Sequence, residues 1–166
     1  MSDMDRSAGY TKMQIALHWV TVFLVALQYL LHEGVAVAFD EGMETGQMAL
    51  TVPAVGHMAG GLVILALAIW RLLLRQERPE PPPPEGEPAW AAWLAPVAHR
   101  LFYALLIALP VTGGLAWGTA SETLSDMHEA LRAALLALIV AHVGAVILHQ
   151  AVWKTGLLTR MTRPGG

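Results

Sequence analysis

Residues Met13–Leu31 read MQIALHWVTVFLVALQYLL, nineteen positions without a charged side chain and with a histidine at the sixth. As a helix this run is about 28 Å long, close to the roughly 30 Å hydrocarbon core of a bilayer. Inside that core an imidazole is costly, and an ionisable group there normally turns toward the bundle interior and finds a partner. The fold follows from the length of the run, and the chemistry from whatever His18 faces.

Three further windows are free of charge: Thr45–Trp70, Leu101–Ser121 and Ala133–Trp153. The whole chain of 166 residues is 55% hydrophobic and 14% charged, whereas soluble domains carry about a quarter charged residues. Four spans are therefore expected, over about 10–31, 54–75, 96–118 and 126–153, in one all-α membrane bundle. The first run exceeds the h-region of a signal peptide, which is about 7–15 residues, so Ala36-Val37-Ala38 is not read as a cleavage site. The connection from His32 to Pro53 shows no strong period.

Charge asymmetry orients the bundle. Arg6, Lys12, Arg71, Arg75, Arg78, Arg100, Lys154, Arg160 and Arg163 fall on one side, and Arg132 alone on the other. The far connections instead hold Glu33, Asp40, Glu41, Glu44, Glu122, Asp126 and Glu129. The positive-inside rule places both termini in the cytoplasm. Between spans two and three, QERPEPPPPEGEP (76–88) favours an extended polyproline segment, and 76–93 reads as a cytoplasmic linker. Trp90 and Trp93 fall where the headgroup layer should be, as indole prefers. Pro110 and Gly113-Gly114 are expected to bend the third span.

With no cysteine in the chain, disulfides, thiolate-ligated iron–sulfur clusters and C-x-x-C-H haem attachment are excluded. No glycine-rich phosphate loop is present, and nothing suggests a nucleic-acid surface. Metal chemistry falls to histidine, of which there are seven. His32 and His99 lie near predicted helix ends, where a histidine needs no special explanation. In the fourth span His128 and His142 are fourteen residues apart, close to four turns, so they share a face about 21 Å apart in depth. The first span supplies His18 near the inner side and the second supplies His57 near the outer side.

That gives two pairs at two depths, His57 with His128 and His18 with His142. Two imidazoles on facing helices can clamp a flat macrocycle, and haem iron takes two trans ligands of this type. A zinc site would need about four ligands converging at one point. Pairing His18 with His149 instead would stretch the two sites about 31 Å apart, the full hydrocarbon thickness. His149 is therefore read as a polar neighbour of the inner site. Small residues leave room near the ligands: Gly60 and Gly61 after His57, and Ala141, Gly144 and Ala145 around His142. Gly56-x-x-x-Gly60 also reads as a helix-packing motif.

The segments QIALHW, GHMAGGLVILALAIWRLLLR, HRLFYALLIALPVTGG, MHEALR and HVGAVILHQAVWKTGLLTRM resemble, in this order, the bacterial cytochrome b561 family, over nearly all of residues 10–161. The resemblance implies a four-helix protein of the inner membrane with two haem b groups, ligated by His18 and His142 on the inner side and by His57 and His128 on the outer side. It also implies electron exchange with ubiquinone or another quinone, with His149 a candidate neighbour of the quinone site. Some members oxidise superoxide. Against that role here, seven outer carboxylates oppose Arg132, a poor field for steering an anion. Arg132 and Arg71 are candidate partners of the outer and inner haem propionates.

The expected partners are thus membrane lipid, a quinone and a periplasmic electron donor or acceptor. Two other functions compete with this reading. One is an anchor subunit relaying electrons for a larger dehydrogenase or hydrogenase, and the other is a proton or metal transporter that uses the histidines without haem.

Overall fold

The computed structural model describes residues 9–77 and 86–165. Its main elements are α1 (Lys12–Thr45), α2 (Val52–Glu77), α3 (Ala89–Thr119) and α4 (Glu122–Leu148). A π-helical turn, His149–Trp153, prolongs α4, and a short helix α5 (Leu157–Arg160) follows. All four main helices are long and apolar enough to cross a bilayer. Each packs against the next in the chain, and both chain ends meet at one end of the bundle. There the Gly165 amide donates to the Tyr10 carbonyl (3.2 Å), and the Trp19 indole donates to the Met161 carbonyl (2.8 Å).

Two helices are longer than the sequence suggests. α1 starts at a capping box, in which the Gln14 amide donates to the Thr11 hydroxyl and Gln14 Oε1 accepts from the Thr11 amide. It then runs on to Thr45 and stops at Gly46, in the left-handed region at φ 72°. Its 34 residues span about 51 Å, so some turns stand beyond the hydrocarbon. The extension is held by Ala38, Phe39 and Gly42, which are buried, and by Phe39 against Trp117 at 6.2 Å. Gly34 and Gly42 are sites of close approach. A methyl at Gly34 would lie 2.6 Å from Pro53 Cβ, and one at Gly42 would lie 3.2 Å from Met48 Cα.

α3 likewise begins at Ala89 and contains Pro96 and Pro110 without interruption. The linker read over 76–93 is therefore shorter: Gln76 and Glu77 end α2, and 89–93 open α3. Its central residues 78–85 lie outside the described residues, as do Arg6 and Arg78 of the charge count. Trp90 and Trp93 are exposed on the first turns of α3. Trp153 meets Trp90 at 5.6 Å and His149 at 4.5 Å.

The core is thin. Its buried cluster is Ile64, Ala68, Leu106 and Leu135, flanked by residues including Leu24, Val25 and Phe102. Leu135 lies midway between His128 and His142 in the sequence of α4. Large apolar side chains such as Phe23, Leu30, Leu62, Val140 and Ile147 are exposed on the outside. Such a surface is stable where lipid covers it. α1 and α4 are joined across the bundle by the Tyr29 hydroxyl, which donates to the Arg132 carbonyl at 2.8 Å.

Candidate functional site

The histidine level remote from the chain ends, the outer one in the expected orientation, is built by α1, α2, α3 and α4 together. α2 contributes His57 and α4 contributes His128, and their ring centres lie 6.2 Å apart with planes at 67°. A metal–imidazole bond of about 2 Å on each side, plus the distance from nitrogen to ring centre, gives roughly this span.

The nitrogens of His128 are not equivalent. Nδ1 lies 3.0 Å from the Leu109 carbonyl and 3.3 Å from the Thr112 hydroxyl. A carbonyl can only accept, so Nδ1 carries the hydrogen and Nε2 is left with its lone pair for a metal. The Thr112 hydroxyl itself donates back to the Ala108 carbonyl at 2.9 Å, which holds this turn of α3 beside the ring. Gly113 leaves the ring room, because a methyl there would lie 3.0 Å from both Cε1 and Nδ1 of His128.

His57 Nδ1 is buried without a hydrogen-bond partner, as are both amide atoms of Gln28 on α1. Gln28 lies against Gly60, where a methyl would collide with its amide nitrogen. Gly56 faces Leu31 in the same seam, where a methyl would lie 3.4 Å from the leucine side chain, so the glycine pair also serves helix packing. Two facing imidazoles with an orphaned amide beside them fit a haem-like group with polar edges.

The inner level is looser. His18 on α1 interacts electrostatically with Arg71, His142 and His99. Arg71 Nη2 is 3.5 Å from His18 Nδ1, at the limit of a hydrogen bond. The Arg71 guanidinium also sits 5.8 Å from the Tyr103 ring centre. An arginine only donates, so ligation through His18 Nε2, with the hydrogen on Nδ1, requires Arg71 to turn away. A nearby carboxylate such as a propionate would draw it. His142 is packed edge-on to Phe102 at 5.4 Å. Gly144 faces open space and Ala141 and Ala145 are exposed, so these small residues do not make the room expected of them at His142.

His99 belongs to this cluster, which sequence reasoning does not foresee. Starting α3 at Ala89 moves His99 from a helix end into the body of the helix, near enough for its charge to act on His18 and His142. Even so, no three of the His, Asp and Glu side chains converge as a single bound ion would require, among the described residues.

His149 is engaged elsewhere. Its Nδ1 pairs with the Thr155 hydroxyl at 3.0 Å, and its Nε2 lies 3.4 Å from Glu87 Oε1, both side chains being buried. Arg132 is also occupied. It donates to Glu129 at 2.6 and 3.0 Å, while Glu129 accepts from His32 at 2.8 Å. His32, an ordinary interfacial residue by its place in the sequence, is thus the third member of an outer network.

The model of the family described as prokaryotic cytochrome b561 matches residues 9–164. Cytochrome b562 of Cereibacter sphaeroides is 31% identical, over 97% of this chain and 99% of its own length. Cytochrome b561 homolog 1 of Escherichia coli K12 is 28% identical, over 92% and 96%. A probable superoxide oxidase, CybB, of Yersinia pestis is 28% identical, over 92% and 94%.

Proposed function

The chain belongs to the prokaryotic cytochrome b561 family, and from that premise we propose that it carries two haem b groups and passes electrons between a periplasmic partner and the membrane quinone pool. Membership makes it a multi-pass bacterial membrane protein of electron transport with haem b as cofactor. The number of haems, their ligands, the quinone, the inner-membrane location and the cytoplasmic termini are the added reading.

The observation that carries the proposal is the outer pair, His57 facing His128 at 6.2 Å with His128 Nδ1 bonded to the Leu109 carbonyl at 3.0 Å. His57 and His128 would hold the outer haem, and His18 and His142 the inner one. Bound haem supplies a one-electron iron couple, and two imidazoles per iron leave no open position for oxygen. The protein's part is to fix the His128 tautomer through Leu109 and to hold the ring in the space left by Gly113. At the inner level Arg71 stands ready for a carboxylate beside His18. His149, tied to Glu87 and Thr155, is proposed to stiffen the inner end beside a quinone rather than to ligate iron.

For the outer partner we favour a neutral or cationic carrier over superoxide. Arg132, the cation that could attract an anion there, is already neutralised by Glu129. Mixing purified protein with a superoxide source and following haem reduction tests this point.

The proposal as a whole is tested by a pyridine haemochrome assay and a reduced-minus-oxidised spectrum. Two haem b per chain, both reduced by quinol, is the expected result. A colourless preparation, or one haem per chain, would refute it.

A further inference from the structure

The last turns of α2 and the stretch of α3 around Arg100 frame an open groove of about 470 Å³, lined by Leu72, Arg75, Arg100, Tyr103, Ala104 and Ile107. Arg100 immediately precedes the charge-free window of α3, so its guanidinium lies at the edge of the hydrocarbon. Arg75 comes to the same level from the last turn of α2. Toward the bilayer centre the lining turns apolar, with Leu72, Ala104 and Ile107. Ala104, exposed on α3, also borders a second groove of about 440 Å³, lined otherwise by Leu101, Leu105, Ala134, Ala137 and Leu138. Two guanidiniums thus stand above two apolar tracks that part at one alanine. The third arginine of this region, Arg71, is turned inward to His18 and Tyr103 and belongs to the site already described.

We propose that this surface holds one anionic phospholipid of the leaflet at the chain ends, its phosphate between Arg75 and Arg100 and an acyl chain in each groove. The charge matches, because guanidinium pairs with phosphate in a two-pronged, charge-assisted contact, and basic pockets between spans at this face take anionic headgroups. The shape also matches, since a free phosphate would use the arginines but leave both apolar tracks unexplained. An ordinary positive-inside arginine needs no such floor beneath it.

Native mass spectrometry of the haem-loaded protein tests this, after exchange through micelles doped with either phosphatidylglycerol or phosphatidylcholine. One phosphatidylglycerol per chain should be retained, and phosphatidylcholine at least tenfold less. Arg75→Gln with Arg100→Gln should lower phosphatidylglycerol retention by at least tenfold while leaving the haem spectrum unchanged. Millimolar inorganic phosphate should not displace the lipid. Equal retention of the two lipids, undiminished retention in the double variant, or displacement by phosphate would each overturn the proposal. The lipid comparison uses wild-type protein alone, so it decides the matter even if the double variant does not fold.

Discussion

Replacing Gly113 by alanine adds a single methyl group at the outer histidine level. Built on the backbone, that methyl lies 3.0 Å from both Cε1 and Nδ1 of His128 and 3.7 Å from Nε2. Ordinary carbon contacts settle at about 3.5–4.0 Å, so the ring must move by about half an ångström. The movement works against the 3.0 Å bond from Nδ1 to the Leu109 carbonyl, which ceases to be a useful hydrogen bond by about 3.5 Å. Losing such a support behind a metal ligand typically costs 10–100-fold in affinity, or about 1.4–2.8 kcal/mol at 1.4 kcal/mol per decade. The helix itself does not suffer, because alanine is preferred to glycine there by about 1 kcal/mol. Gly114 provides the control: a methyl there meets nothing within 4 Å, with the same gain in helix preference. Haem titration into the two apo-variants, read by reduced-minus-oxidised spectra, should show weakened outer binding in Gly113→Ala and wild-type binding in Gly114→Ala. Equal weakening in both, or none in either, would refute the reasoning.

Other substitutions address the rest of the site. His128→Ala should leave one haem per chain with the inner spectrum unchanged, and loss of both haems from a folded protein would break the proposed pairing. His149→Ala should retain both haems but melt earlier, since it leaves Glu87 buried without its partner at a cost of about 1–3 kcal/mol; a lost haem would transfer ligation from His142 to His149. Arg71→Gln should keep both haems and shift the inner potential negative by on the order of tens of millivolts, because removing a nearby positive charge disfavours reduction. An unchanged inner potential in redox titration would take Arg71 out of the site. Glu129→Gln should move the outer potential the opposite way and speed the reaction with superoxide at low salt only, as measured by stopped-flow reduction.

The four spans were legible because the absence of charge over twenty residues has few other causes in a chain so poor in charged residues. Their ends were not. Polar residues after Leu31 suggested a loop, yet nothing from His32 to Thr45 forbids helix, and Phe39 finds Trp117 to pack on. The same error hid His99, whose depth depends on where α3 begins. Fourteen-residue spacing set His128 and His142 on one face of α4, about 21 Å apart, because helical period and rise are dictated by the backbone alone. Which partner Arg132 takes was not legible in that way, since a charged side chain on α4 has Glu129 one turn away and a hypothetical propionate in competition. The tautomer of His128 was equally hidden, as it depends on a carbonyl of another helix.

The arrangement also discriminates between moving electrons and moving ions. A proton or metal carrier built from these histidines must hand its cargo from the level of His128 to that of His142, about 21 Å along one helix. A buried cluster of Ile64, Ala68, Leu106 and Leu135 occupies that interval. Ions in such a setting need polar side chains or water at close spacing, because each unsolvated charge in hydrocarbon is costly. An electron needs no stepping stone of that kind, only redox groups near enough on either side of a dry layer. The apolar layer that would obstruct a transporter therefore suits a cytochrome, since it keeps protons from following the electron between the two levels. A polar residue introduced at Leu135 would weaken that separation without touching either of the proposed histidine pairs.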